Sequence, residues 1–80
     1  MRDRVSRSER RAVSIDAFVL LRTGTALPVT IIDSSDAGCK IRCLHMLPIG
    51  EVVQIKIPAF QPNSASVRWS LPGMAGLQFI

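Results

Sequence analysis

Two clusters of polar residues carry the chemistry that this sequence offers. The first is Arg7-Ser8-Glu9-Arg10-Arg11, in which Arg7 and Arg11 lie four positions apart. A guanidinium group is planar and always charged, so it can grip phosphate through two hydrogen bonds, stack on a flat ring, or pair with O6 and N7 of guanine. The cluster therefore predicts a site for a phosphate-bearing ligand, with Arg10 as a further candidate beside Arg11.

The second cluster is Asp33-Ser34-Ser35-Asp36-Ala37-Gly38, which lies between two apolar, β-prone runs. This pattern predicts a turn between two strands, and we expect Gly38 to supply a positive φ there. The oxygens of Asp33 and Ser35 can hold the turn by bonding to nearby amides. Facing outward, a carboxylate could instead accept hydrogen bonds from N1–H and N2–H of guanine. Together the two clusters suit a ligand that contains both guanine and phosphate.

The charge of the chain is concentrated at its N-terminus. The 80 residues carry a net charge of +4, and residues 1–11 contribute five arginines against Asp3 and Glu9, which leaves +3. These residues show no hydrophobic period, so we predict a flexible basic arm over 1–11 and one small domain over 12–80. Such an arm favours an anionic partner: a phosphate ligand, a nucleic acid or a membrane surface.

Other classes of function find little support in the sequence. No nucleophile, histidine and carboxylate form a recognisable catalytic set, so we do not expect an enzyme. Cys39, Cys43 and His45 are not spaced like zinc ligands, and we expect neither a metal nor a cofactor. The two cysteines would lie about 13 Å apart along one strand, too far for a disulfide. We interpret them as buried thiols.

The longest apolar run, Ala17 to Leu21, is far shorter than the roughly 20 residues of a membrane span. We therefore expect no membrane insertion and a cytoplasmic location.

Six segments with alternating or continuous apolar residues predict β-strands, and no segment shows a helical period. The predicted strands are Val13–Leu21, Pro28–Ile32, Cys39–Leu44, Glu51–Ile57, Ser64–Leu71 and Met74–Ile80. In the fifth strand, alternation places Ala65, Val67 and Trp69 on the inner face. Short strands separated by turns indicate an all-β sandwich or barrel, and a barrel is favoured because it leaves no open sheet edge.

The two clusters resemble the paired RxxxR and (D/N)xSxxG motifs of the PilZ domain family. The resemblance extends over most of the chain. It includes Gly38-Cys39-Lys40-Ile41, Leu47-Pro48-Ile49-Gly50-Glu51, Val67-Arg68-Trp69 and Ala75-Gly76-Leu77. Each motif is weak by itself, but their order and the six-strand pattern together make the similarity fairly specific.

This resemblance implies a six-stranded antiparallel β-barrel that binds the bacterial second messenger cyclic di-GMP. By position, Arg7 and Arg11 would hold phosphate and guanine, while Asp33, Ser35 and Gly38 would form the guanine-facing turn. We expect a receptor that signals to a partner protein when its N-terminal arm becomes ordered. Two alternatives remain: a small basic barrel that binds nucleic acid, and a PilZ adaptor without a ligand.

Overall fold

Six antiparallel strands close into a barrel in the computed structural model, which describes residues 11–80. The strands are β1 (Arg11–Leu20), β2 (Ala26–Ser34), β3 (Gly38–Arg42), β4 (Val52–Lys56), β5 (Asn63–Leu71) and β6 (Met74–Phe79). Around the barrel they follow the order β1-β2-β3-β6-β5-β4, and β4 pairs back onto β1. The predicted all-β, six-stranded antiparallel barrel is thus confirmed. The described part of the chain holds no helix that could span a membrane.

The interior of the barrel is filled by small and branched apolar side chains from every strand. The buried residues are Ala17, Val19, Leu27, Val29, Ile31, Cys39, Ile41, Cys43, Leu47, Val53, Ile55, Ala65, Val67, Ala75 and Leu77. Within residues 11–80 no polar or charged residue is buried. Cys39 and Cys43 are buried in this core and are not joined by a disulfide, as the sequence predicted. Alternation along the strands sends the polar side chains outward, where a site can form.

The predicted strand bounds differ from the observed ones by two residues or fewer. The first strand begins at Arg11 rather than Val13, because Arg11 already pairs with Ser34 across β1 and β2. Arg11 is therefore part of the barrel wall. The remainder of the predicted arm, residues 1–10, lies outside the described residues.

The second strand is longer than predicted, and the turn after it is correspondingly shorter. β2 runs from Ala26 to Ser34, so Asp33 is a strand residue rather than the first residue of the turn. Only residues 35–37 lie between β2 and β3. The cross-strand pairing of Asp33 with Lys40 extends the ladder this far.

The prediction that Trp69 faces the interior is wrong. Val67 on β5 pairs with Leu77, whereas Trp69 pairs with Gly76, the residue next to Leu77 on β6. Two steps along β5 therefore match a single step along β6, which is a β-bulge at Arg68. The extra residue turns Trp69 to the outer face, where its indole lies over Gly76. Val67 is buried inside, as predicted.

Candidate functional site

A second bulge decides where the carboxylate of Asp33 points. Alternation alone would place Asp33 on the same inner face as Ile31, which is buried. However, Ile31 pairs with Ile41, and Asp33 pairs with Lys40, the residue next to Ile41 on β3. The extra residue on β2 therefore turns Asp33 to the outer face, on the same side as Lys40. The bulge thus moves Asp33 out of the core to the outer side of β2, where its side chain is partly buried.

Asp33 and Lys40 form an ion pair on that outer face. Lys40 Nζ lies 3.9 Å from Asp33 Oδ2, and the two side chains are 37% and 21% exposed, respectively. Opposite charges directly across an antiparallel pair attract each other, although solvent screens the attraction. The carboxylate is thus held partly buried beside the more exposed side chain of Lys40, with Oδ1 shielded from solvent and Oδ2 nearest the ammonium group.

Ser35 shapes the turn that follows Asp33. Its backbone N–H donates to the carbonyl oxygen of Gly38 at 2.9 Å. Its Oγ accepts a hydrogen bond from the N–H of Ala37 at 3.2 Å. This is the local serine-to-backbone bonding that stabilises short turns. The serine thereby fixes the short connection between the strand that carries Asp33 and the strand that carries Lys40.

The structure gives Gly38 a different role from the one predicted. A positive φ is found at Gly24, Gly50 and Gly73, but not at Gly38. Instead, a Cβ on Gly38 would overlap the backbone carbonyl oxygen of Leu77 on β6. A glycine is needed here because two backbones approach closely, and the expectation of a positive φ is wrong.

Arg11 reaches the same turn from the neighbouring strand. With Ser34, Ser35 and Asp36 it lines a cleft of about 330 Å³. Val13 and Ile15 of β1 complete the apolar side of this cleft. The structure therefore brings one predicted arginine together with the predicted turn. Arg7 and Arg10, the other two arginines of the prediction, lie outside the described residues.

The sequence-family model of the PilZ domain matches residues 5–80 of this chain. The chain belongs to the PilZ domain family. This confirms the resemblance carried by the two motifs, and PilZ domains are a family that binds cyclic di-GMP. The comparison with individual curated proteins gives no match.

Sequence reasoning missed a groove on the other side of the PilZ turn. This open groove of about 540 Å³ runs over the outer faces of β3, β6 and β5. It is lined by Ala37, Gly38, Cys39, Lys40, Arg68, Trp69, Gly76, Leu77 and Gln78. Strand alternation in the sequence already places Lys40 on the outer face, and this could have indicated a polar surface here. Trp69 could not be assigned to it, because alternation in the sequence hides the bulge.

Two clefts thus flank the β2–β3 turn of this PilZ barrel, with Arg11 on one side and Trp69 on the other. Arg68 donates a hydrogen bond to Gln78 Oε1 and so borders the second cleft with a further guanidinium group. Across residues 11–80, no group of three or more His, Cys, Asp or Glu residues is placed to hold a metal ion. The side chains that line the two clefts offer hydrogen bonding, charge pairing and stacking.

Proposed function

We propose that this PilZ domain is a receptor that binds cyclic di-GMP at the β2–β3 turn and signals to a partner protein. One observation carries the proposal: the bulge in β2 turns the carboxylate of Asp33 outward, next to the turn that Arg11 borders. A carboxylate suited to guanine and a cation suited to phosphate thereby adjoin the same turn from opposite faces of β2, since Asp33 pairs with Ala12 and Arg11 with the adjacent Ser34.

The two halves of the ligand fit the two kinds of side chain. The carboxylate of Asp33 accepts hydrogen bonds from N1–H and N2–H on the Watson–Crick edge of one guanine. Arg11 donates to a phosphate or to O6 and N7 of guanine, and Arg7 and Arg10 add to it by sequence position. Ser35 supports this arrangement by holding the turn in one shape.

The groove that contains Trp69 supports a ligand larger than a mononucleotide. The indole is half-buried on the outer face and flattened against β6 at Gly76. Aromatic side chains provide stacking surfaces for nucleobases, and the groove adjoins the turn at Gly38. A dinucleotide can contact the turn and this groove at the same time.

For the signalling step, we propose that the N-terminal residues become ordered over the ligand and change the surface shown to the partner. The basis is sequence: residues 1–11 carry five arginines and no hydrophobic period. Amide hydrogen exchange of residues 2–10 should slow when cyclic di-GMP is added. Exchange that is equally slow without ligand would reject an order–disorder switch.

Calorimetric titration of the protein with cyclic di-GMP, GTP and single-stranded DNA tests the binding function. We expect saturable binding of cyclic di-GMP and much weaker binding of GTP and DNA. Binding of DNA with a steep salt dependence, and no preference for cyclic di-GMP, would instead support a nucleic-acid-binding barrel. Absence of heat with all three would support an adaptor without a nucleotide ligand.

A further inference from the structure

Lys40 stands between the two parts of the candidate site. On one side its partner in β2 is Asp33, and on the other its partner in β6 is Gly76, over which Trp69 lies. It lines the groove of about 540 Å³ and keeps 37% of its side chain exposed. An ammonium group at this position can reach the carboxylate or a ligand in the groove.

The ion pair with Asp33 is loose. Its separation of 3.9 Å exceeds the 2.7–3.2 Å that is usual for an N–H···O hydrogen bond. Lys40 itself is partly exposed, so solvent screens a pair this widely separated, and the flexible lysine stem allows the ammonium to move. Releasing Lys40 from Asp33 therefore costs little.

We propose that Lys40 is an additional ligand-binding residue, whose ammonium moves from Asp33 to a phosphate of the bound cyclic dinucleotide. The inference rests on the proposed function. The ligand offers donors to the carboxylate and an anion to the ammonium, so both members of the pair gain a new partner. Lys40 also offsets the repulsion that Asp33 and Asp36 exert on an approaching phosphate.

A different role for Lys40 would have the opposite effect on affinity. If the ammonium only neutralised Asp33 and competed with guanine for it, removing the charge would free the carboxylate and tighten binding. The sign of the change in the dissociation constant therefore separates a phosphate ligand from a competitor.

The chain provides a matched control, because it contains one other lysine, Lys56. Lys56 lies on β4, three strands away from β3 in either direction around the barrel. Its Nζ donates to the carbonyl oxygen of Phe60 at 2.6 Å, outside both clefts of the candidate site. Lys56→Met changes the net charge by the same amount as Lys40→Met.

The experiment is a calorimetric titration of cyclic di-GMP into wild type, Lys40→Met, Lys40→Arg and Lys56→Met. Loss of a charge-assisted hydrogen bond predicts at least about tenfold weaker binding for Lys40→Met. Lys40→Arg keeps a donor, so its dissociation constant should stay within about threefold of the wild-type value. The dissociation constant of Lys56→Met should stay within about twofold of it. The rise of Kd with salt should be weaker for Lys40→Met than for wild type or Lys56→Met, because one close charge contact with the ligand is lost, an effect that a purely structural role would not produce.

The outcomes distinguish this inference from the proposed function. If wild type fails to bind cyclic di-GMP, both are overturned. If wild type binds and Lys40→Met binds equally or more tightly, the Lys40 contact is overturned and the receptor function stands. The unfolding midpoint and the amide spectrum of each variant show whether it is folded. If Lys40→Met does not fold, Lys40→Gln takes its place in the titration.

Discussion

The backbone carbonyl oxygen of Leu77 occupies the space that a side chain on residue 38 would need. Gly38 pairs with Gln78 on β6, so the strand that follows the site turn is pressed against its neighbour without an intervening Cβ. The carbonyl oxygen of Ala37 accepts a hydrogen bond from the N–H of Phe79 at 2.8 Å in the same region. This close contact fixes the turn against the barrel.

Gly38→Ala should destabilise the barrel, because the new methyl group meets backbone rather than a movable side chain. Overpacking of this kind costs about 1–3 kcal/mol, and a backbone obstacle favours the upper end. Denaturant unfolding measures the change. The matched control is Ala37→Ser at the neighbouring exposed position, which should change the free energy of unfolding by less than about 0.5 kcal/mol. Equal stability of Gly38→Ala and wild type would contradict this account of the motif glycine.

Gly76→Ala should displace the indole of Trp69. A Cβ at residue 76 would overlap the indole ring, which, unlike a backbone oxygen, can rotate away. We therefore expect a smaller loss of stability than for Gly38→Ala. Trp69 is the only tryptophan, so its fluorescence emission should shift to longer wavelength as the ring enters solvent.

The same clash predicts non-additivity between the two positions. With Trp69→Ala as background, Gly76→Ala should cost less free energy than it does in wild type, since the obstacle has been removed. Identical costs in both backgrounds, or an unchanged emission spectrum in Gly76→Ala, would show that the indole does not lie over Gly76.

Arg11→Ala should weaken cyclic di-GMP binding by ten- to a hundredfold and leave the barrel folded. The expected loss corresponds to about 1.5–3 kcal/mol for a charge-assisted hydrogen bond, and the Arg11 side chain is exposed. Calorimetric titration gives the affinity. Arg22→Ala is the control, because it removes the same charge beyond the opposite end of β1. Similar affinities of Arg11→Ala and Arg22→Ala for cyclic di-GMP would show that Arg11 contributes to binding only through the net charge of the protein.

Much of the fold could be predicted because strand alternation is a local property of the sequence. Cys39, Ile41 and Cys43 occupy every second position and are all buried, as predicted. The predicted turn lies between β2 and β3 for the same reason, although it is shorter at its start because Asp33 continues the ladder.

The features that shape the site could not be predicted from alternation. A β-bulge depends on which residues face each other across two strands, and nothing in Val67-Arg68-Trp69 marks one. The outward direction of Asp33 depends on a bulge of the same kind. The closeness of Gly38 to Leu77 joins residues 39 positions apart, which single-sequence reasoning does not bring together.

Asp33→Ala should reduce both affinity for cyclic di-GMP and selectivity for guanine. The variant loses the acceptor for N1–H and N2–H, and each buried donor left unpaired costs about 1–3 kcal/mol. Its affinities for cyclic di-GMP and cyclic di-AMP should therefore move closer together. Titration of both nucleotides into the variant measures this, with an amide spectrum to confirm that the barrel is intact. A selectivity equal to that of wild type would assign guanine recognition to other residues.

The most direct test of guanine recognition at this turn compares cyclic di-GMP and cyclic di-AMP on the wild-type protein. The two ligands carry the same phosphate charges, but adenine presents an acceptor at N1 where guanine presents a donor, and that acceptor would face the lone pairs of Asp33. We predict that calorimetric titration will show at least about tenfold tighter binding of cyclic di-GMP. Equal affinities for the two nucleotides would contradict the proposal and favour a purely electrostatic interaction of the basic residues with phosphate.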